Sequence, residues 1–256
     1  MEVLYEDNHI IIVSKSAGEI VQGDKTGDEP LSETVKRYIK EKYNKPGEVF
    51  LGVVHRLDRP VSGLVVFART SKALSRLNKM FAEGQVHKTY WAIVERRSPS
   101  SSPVGERKEE RGERREERGK RKEVRGSRFE VRGASGEFTE IEHWLTRNEK
   151  QNKSYAYDHE VPHSKLARLR YRCLRRLDHY NLYEVQLMTG RHHQIRCQLS
   201  AIGSPIKGDL KYGARRSNPD GSISLLARHI EFEHPVSHIQ IIVDAPFPED
   251  PLWQIV

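Results

Sequence analysis

No hydrophobic core can run through residues 96–132 of this 256-residue chain. The segment carries 14 Lys/Arg against 8 Asp/Glu, a net of +6, and its centre, Gly105 to Gly119, is low in complexity and nearly devoid of apolar groups. Such a stretch buries too little surface to offset its ordering entropy, so disorder or a solvated helix is expected. A fold must be assembled from the residues on either side, as one large domain or as two lobes sharing a core. The segment also drains meaning from the net charge. The whole chain is +8 with a pI near 9.4, which suggests a polyanionic partner. Outside the segment, 30 basic and 28 acidic residues leave only +2, so basicity is poor support for a charged groove in the folded body. An RNA-binding tail is the sharper reading of the segment. Its mixed signs put a solvated insertion without specific function somewhat ahead.

The flanking parts read as short strands with a few helices. Val3 to Tyr5 and Ile10 to Val13 are strand-like and split by the turn-forming Asp7-Asn8. From Pro30 to Tyr43, Leu31, Val35 and Ile39 recur at four-residue spacing, a helical stripe. Phe50 to Val54 predicts a strand, and Leu64-Val65-Val66-Phe67-Ala68 another, buried on both faces. Thr70 or Ser71 is placed to cap a helix with Leu74, Leu77 and Phe81 as its apolar face. Val86 to Val94 and Phe138 to Trp144 follow as strands. Tyr171 to Leu177 and Leu182 to Met188 predict a hairpin turning at Asp178 to Asn181. Thr189-Gly190 leads into a helix expected from about Arg191 to Ile202, striped by Ile195, Leu199 and Ile202 and stopped by Gly203. Strands near Ser224 to Phe232 and Ile239 to Val243 close the chain. Strands outnumber helices and hairpins are frequent, so the class is α+β on a mainly antiparallel sheet.

Several function classes are disfavoured. The longest apolar runs, such as Leu64 to Ala68, are far too short to cross a membrane, and the N-terminus lacks the basic start and apolar stretch of a secretory signal. The two cysteines, Cys173 and Cys197, have no framework spacing and read as reduced thiols of a cytoplasmic protein. A chain of this length needs no disulfide or metal staple, although its mean hydropathy of -0.73 marks a polar surface or insert. Twelve scattered histidines without HExxH or CxxC spacing argue against a metal. No GxxxxGK loop supports nucleotide hydrolysis.

The candidate chemistry lies in the loop His55 to Gly63, held between two core strands. Asp58 is flanked there by Arg56 and Arg59, and cationic neighbours favour its ionised form. A positioned carboxylate can attack an electrophilic carbon. An Arg–Asp loop brace is the blander alternative, and spacing alone favours it. Arg196 falls at the edge of the core-facing stripe of the helix after Gly190, where a guanidinium wants a carboxylate, and Asp58 is a candidate. The alternative is an arginine that extends its head to water. His192 and His193, on a helix, would point about 100° apart and make a poor metal pair. Tyr90, after Lys88 in an alternating strand, could offer a ring for a base to stack on; ordinary sheet packing accounts for it equally well.

Taken with their neighbours, these residues resemble the RluA-type family of pseudouridine synthases. His55-Arg56-Leu57-Asp58-Arg59-Pro60-Val61-Ser62-Gly63-Leu64 is similar to that family's catalytic loop, and His87-Lys88-Thr89-Tyr90 to its Lys-x-Tyr strand. Thr189-Gly190-Arg191-His192-His193-Gln194-Ile195-Arg196, with Ile202 to Asp209, is similar to its third motif. Leu225-Leu226-Ala227 with Phe232-x-His234-Pro235 resembles the closing one, and Leu4 through Lys15 the family's start. The motifs stand in family order across most of the chain. Two departures are Val61, where many members have Thr, and Ser14-Lys15-Ser16 in place of an Asn-Lys-Pro-like turn; the insertion 96–132 is a third.

The resemblance implies a single catalytic domain over 1–256, with a mixed, mainly antiparallel sheet, flanking helices and two lobes around a central cleft. No S4-type RNA-binding module is expected before it. The implied activity is conversion of uridine to pseudouridine in a structured tRNA or rRNA, without cofactor or metal, by a cytoplasmic protein that is a monomer by default. Asp58 is the implied nucleophile, at ribose C1′ or through a glycal. Arg196 pairs with it, and Tyr90 stacks on the target base and assists a late proton transfer. Arg56 fills the space left by the extruded uridine, and Ile195 and Leu225 line the base pocket. The competing reading is a non-catalytic RNA-binding or ribosome-assembly factor of the same fold. The joint presence of Asp58, Tyr90 and Arg196 favours the enzyme.

Overall fold

Four consecutive residues, Ile10 to Val13, have no solvent exposure, which requires a strand covered on both faces. They lie in β2 (Ile10–Lys15), and the two faces receive different partners. Ile11 and Val13 join the core beneath α1 (Leu31–Lys42), which contributes Leu31, Val35 and Ile39; Ile10 and Ile12 join the core beneath α2 (Ser71–Ala82), with Ala73 and Leu77. The same parity rule divides β4 (Ser62–Ala68), the apolar run expected to be buried on both sides: Val65 and Phe67 face the α1 core, Leu64 and Val66 the other. Thr70 caps α2 by accepting the Ala73 N–H at 3.2 Å, the cap that its sequence called for.

The chain is described here from a computed structural model, over residues 1–96 and 136–254. The expectation of disorder or a solvated helix at 96–132 lies outside the described residues apart from Arg96. The remaining strands are β1 (Glu2–Glu6), β3 (Gly52–Val53), β5 (His87–Glu95), β6 (Thr139–Asn148), β7 (Lys153–Tyr157), β8 (Lys165–Arg176), β9 (Tyr180–Leu187), β10 (Leu225–Glu233) and β11 (Gln240–Asp244). They form one sheet of eleven described strands in the order β1-β2-β4-β10-β5-β9-β8-β6-β7, with β3 on β4 and β11 on β10. Every described pairing between strands is antiparallel except β4 with β10. The α+β, mainly antiparallel class is thus observed. No helix among the described residues is long and apolar enough to cross a membrane.

The parallel contact decides where a cleft opens. It lasts only from Ser62 and Gly63 to Leu226 and Ala227, after which β4 and β10 part and β3 takes the freed edge of β4 at Phe67 and Ala68. The contact is close because Gly63 has φ +117°, and a Cβ there would lie 2.4 Å from the Ala227 carbonyl oxygen. The strand expected over Phe50 to Val54 is only two residues long; further along β4 the Val66 N–H is taken by the His55 side chain rather than by a strand. Strand β7 is an element the sequence did not announce.

The helix expected from about Arg191 starts later. α3 runs Gln194–Ala201, because His193 adopts a left-handed conformation (φ 51°, ψ 27°) that cannot lie in a right-handed helix. Residues 189–193 form a turn instead, closed by Gln194 Oε1, which accepts from Arg191 N–H and Thr189 Oγ–H, both at 2.9 Å. The histidine rings consequently do not diverge by a helical step. They stack, 3.8 Å between centroids and 23° between planes.

Candidate active site

The loop that carries Asp58 is fixed along its backbone. Leu57 and Val61 enter the α1 core on either side of it, which turns the Asp58 side chain the other way. Lys15, at the end of β2, is 1% exposed, and its ammonium donates to the carbonyls of Ser16, Arg59 and Val61 at 2.9, 3.1 and 2.6 Å. Gly18 N–H adds a bond to Arg59 O and Ile223 N–H one to Pro60 O. Burial pulls the Lys15 pKa down to about 8, partly opposed by Glu19 and Asp58. The two departures from the family pattern therefore leave the loop supported: Val61 serves by its side chain in the core and by its carbonyl, and Lys15, between Ser14 and Ser16, holds the carbonyls of Arg59 and Val61.

Arg196 reaches Asp58 across 138 residues of sequence, Nη1 to Oδ2 at 3.0 Å. Its opposite edge is held by Asp209, with Nε to Oδ2 at 2.7 Å and Nη2 to Oδ1 at 2.9 Å. Arg196 is 5% exposed, so the reading in which it extends to water is excluded. Burial alone would lower its pKa, but the hydrogen bonds and charge of Asp209, then Asp58, carry it upward. Arg59, read from sequence as a cationic neighbour, instead pairs with Asp28 at 2.5 Å, so the ion pair made by Asp58 is with Arg196, with His193 Nε2 3.4 Å away.

Asp58, Arg56, Tyr90, Ile195, Arg196 and Leu225 all line one cleft of about 1630 Å³. That is larger than a small-molecule pocket of roughly 300–1,000 Å³ and suits part of a macromolecule. Arg56 is exposed, whereas Tyr90, Ile195 and Leu225 are 7%, 5% and 4% exposed and share the core that supports the loop. Burial, then the charge of Asp58, pushes the Tyr90 pKa up, so its ring is a neutral phenol. A bulge in β10 between Ala227 and His229 lies opposite Tyr90 and Thr89 and puts Arg228 on the cleft wall. Lys88 lines the same wall, its ammonium 5.0 Å from the Phe81 ring centroid. His55 accepts the Val66 N–H at 3.0 Å and stacks on Phe81; burial and then Lys88 pull its pKa to about 3, so it is a neutral brace and not an acid.

Sequence reasoning missed four residues around this centre: Asp209, Lys15, His193 and Tyr212. Asp209 and His193 fell inside quoted motifs without a role. Tyr212 had no sequence signal of its own.

Comparisons with known proteins identify the family and the fold. The model for RNA pseudouridylate synthase matches residues 9–201. The chain is 30% identical to ribosomal large subunit pseudouridine synthase D of Pseudomonas aeruginosa, over 99% of this chain and 70% of that protein. It is 28% identical to the uncharacterized RNA pseudouridine synthase YhcT of Bacillus subtilis, over 98% and 70%. Among solved structures, human RNA pseudouridylate synthase domain containing 4 superimposes with a TM-score of 0.67 at 19% identity, covering 99% of this chain and 91% of that one. Human RNA pseudouridylate synthase domain containing 1 gives 0.63 at 19%, covering 98% and 85%. The chain belongs to the RNA pseudouridylate synthase family, in its RluA-type branch, and is an enzyme that isomerises uridine to pseudouridine in RNA.

Proposed function

We propose that Asp58 is the nucleophile of this isomerisation, that Arg196 holds it, and that the substrate is ribosomal large-subunit RNA. The observation that carries the first part is the 3.0 Å bond from a buried guanidinium to a carboxylate at the cleft wall. Relatives whose names specify the ribosomal large subunit support the second. The reaction breaks the bond from C1′ to N1 and makes one from C1′ to C5, while the C5 hydrogen leaves and N1 gains a proton. Atoms and electrons balance within the nucleoside and water. Asp58 either adds to C1′ or assists the glycal route; both begin with the same anion beside the same ribose. The apolar surfaces of Ile195 and Leu225 and the neutral ring of Tyr90 enclose the uracil. Extruding it costs a few kcal/mol, offset by Arg56 in the vacated stack and by phosphate contacts along a wall that carries Lys88 and Arg228.

The test uses large-subunit RNA and tRNA carrying tritium at uracil C5, with a chelator present. Wild type should release tritium from the ribosomal RNA, and Asp58→Asn should lose roughly 10⁴-fold or more of the rate. Release that survives the substitution removes Asp58 from the mechanism; release from tRNA alone removes the substrate assignment. The proposal extends to a single catalytic domain with 96–132 as an insertion, working as a cytoplasmic monomer. The free Cys173 and Cys197 suit a reducing compartment. Light scattering on the purified chain tests the monomer.

A further inference from the structure

We propose that His193 is a positioning residue for Asp58: as a neutral imidazole with its hydrogen on Nε2, it donates to Oδ2, the oxygen Arg196 already holds, and leaves Oδ1 as the attacking atom. The inference rests on Asp58 being the nucleophile. Its basis is a chain of buried polar contacts that the isomerisation does not otherwise require.

His193 Nε2 stands 3.4 Å from Asp58 Oδ2, and Arg196 Nη1 stands 3.0 Å from the same oxygen. Among the described residues, both of these contacts of the carboxylate are on one oxygen. The histidine is within ion-pair distance and not yet in hydrogen-bond geometry, as catalytic contacts often are before substrate tightens them. At the other side of the ring, Nδ1 lies 2.9 Å from the Tyr212 hydroxyl. That oxygen already accepts the Ser154 backbone N–H at 2.8 Å.

A phenol has one hydrogen to give. Burial raises the Tyr212 pKa, so the hydrogen stays on the oxygen, and among the described residues its acceptor is His193 Nδ1. The hydrogen-bond network therefore assigns the ring hydrogen to Nε2, where it faces Asp58. A second proton is strongly disfavoured. Burial pulls the His193 pKa to about 2, assisted by Arg196, His192, Lys211 and Arg147, and Asp58 is the carboxylate facing the ring.

The ring has little freedom to turn. The His192 ring stacks on one face of it, and His192 is itself held by Ser154 Oγ at 2.9 Å and Asn152 Oδ1 at 3.0 Å. Tyr212 meets it edge-on, 5.6 Å between centroids and 81° between planes. His193 has the left-handed backbone (φ 51°) that few residues other than glycine adopt, and with it the ring lies beside the carboxylate.

A purely structural histidine and a positioning one differ in three measurable ways. Histidine ¹⁵N spectra of the full chain should show His193 with Nε2 protonated and Nδ1 bare, unchanged over about pH 5 to 8; an Nδ1–H tautomer, or titration in that window, overturns the proposal. In single-turnover tritium release, His193→Phe should lower the rate constant roughly 10- to 100-fold with the RNA concentration dependence unchanged. His193→Gln, whose amide nitrogen can reach where Nε2 stood, should recover most of it. Full activity of the Phe variant, a loss confined to RNA affinity, or a Gln variant as slow as Phe each refutes the role. Should His193→Phe fail to fold, Tyr212→Phe decides: it should let both tautomers appear and slow turnover, and an unshifted tautomer with wild-type rate overturns the wiring. Asp58→Asn in the same assay separates the two ideas. If it keeps turnover, the nucleophile assignment fails; if it is inactive while His193→Phe matches wild type, only the positioning role fails.

Discussion

Replacing Asp209 by Asn tests whether the carboxylate behind Arg196, rather than the one in front of it, sets the geometry of the site. Asp209 and Arg196 side chains are 1% and 6% exposed, and their contact is a two-pronged fork at 2.7 and 2.9 Å. Asn preserves volume and one acceptor, but it turns an N–H against the guanidinium and leaves that cation with Asp58 as its sole counter-charge among the described residues. Breaking a buried pair typically costs about 3–5 kcal/mol, and the retained acceptor argues for the lower end. For a chain of this size, about 3 kcal/mol corresponds to a fall in Tm of roughly 6–12 °C. Neither group is exposed, so RNA affinity should change little. The guanidinium, released from its rear anchor, would no longer hold Asp58 Oδ2 in one place, and the single-turnover rate should drop roughly 10- to 100-fold. Calorimetry and tritium release on the same preparation measure both. A variant with wild-type Tm and wild-type rate would show that Arg196 is oriented by Asp58 alone and would refute the reasoning.

Other perturbations probe the support of the loop. Gly63→Ala should separate β4 from β10, since the new Cβ would meet three Ala227 backbone atoms at 2.4–2.8 Å; a cost well above about 1 kcal/mol in denaturant titration and a loss of turnover are expected, and an unaffected variant would rule out the close approach. Lys15 has a pKa pulled from 10.5 to about 8, so the unfolded chain holds that proton more tightly. Its native contribution is complete above about 10.5 and is lost as pH falls to 8, a swing of roughly 3 kcal/mol. Wild type should therefore gain stability relative to Lys15→Met as pH rises through that window, and a constant difference between the two would contradict the assignment. Removing residues 100–128 should leave turnover on short RNA substrates intact, and its disappearance would mean that the insertion takes part in chemistry or substrate capture.

The strands and helices that place the site were largely legible because their signals are local. A stripe at four-residue spacing gave α1, the apolar runs gave β2 and β4, and a turn between two alternating segments gave the β8–β9 hairpin. Strand β7 escaped because Lys153 to Tyr157 buries a serine, Ser154, rather than an apolar residue, and its partner for burial is the Tyr212 hydroxyl, 58 residues away. The start of α3 was misjudged for a related reason. A left-handed histidine is written nowhere in periodicity, and its surroundings are non-local: Ser154 of β7 holds the neighbouring His192, Gln194 holds Arg191, and the Tyr212 hydroxyl meets its own ring.

Asp209 was more accessible to reasoning than that. An arginine on a core-facing stripe was matched with one carboxylate, Asp58, which satisfies the demand for charge. It does not satisfy the demand for hydrogen bonds. A guanidinium carries five N–H donors in a fixed plane, and a carboxylate presents only two oxygens to one edge of it. Once Arg196 is placed in the core, donors on its far edge need a second acceptor group, and the acid nearest in sequence after the helix is Asp209. The same count separates the two carboxylates by role. The one that takes the two-pronged edge, Nε and Nη2, is buried; the one left with the single Nη1 keeps an oxygen without a hydrogen bond among the described residues and sits at the cleft. Counting donors on one side chain thus matches Asp209 to the anchoring contact and leaves Asp58 as the carboxylate open to the cleft, which the proposed nucleophile must be.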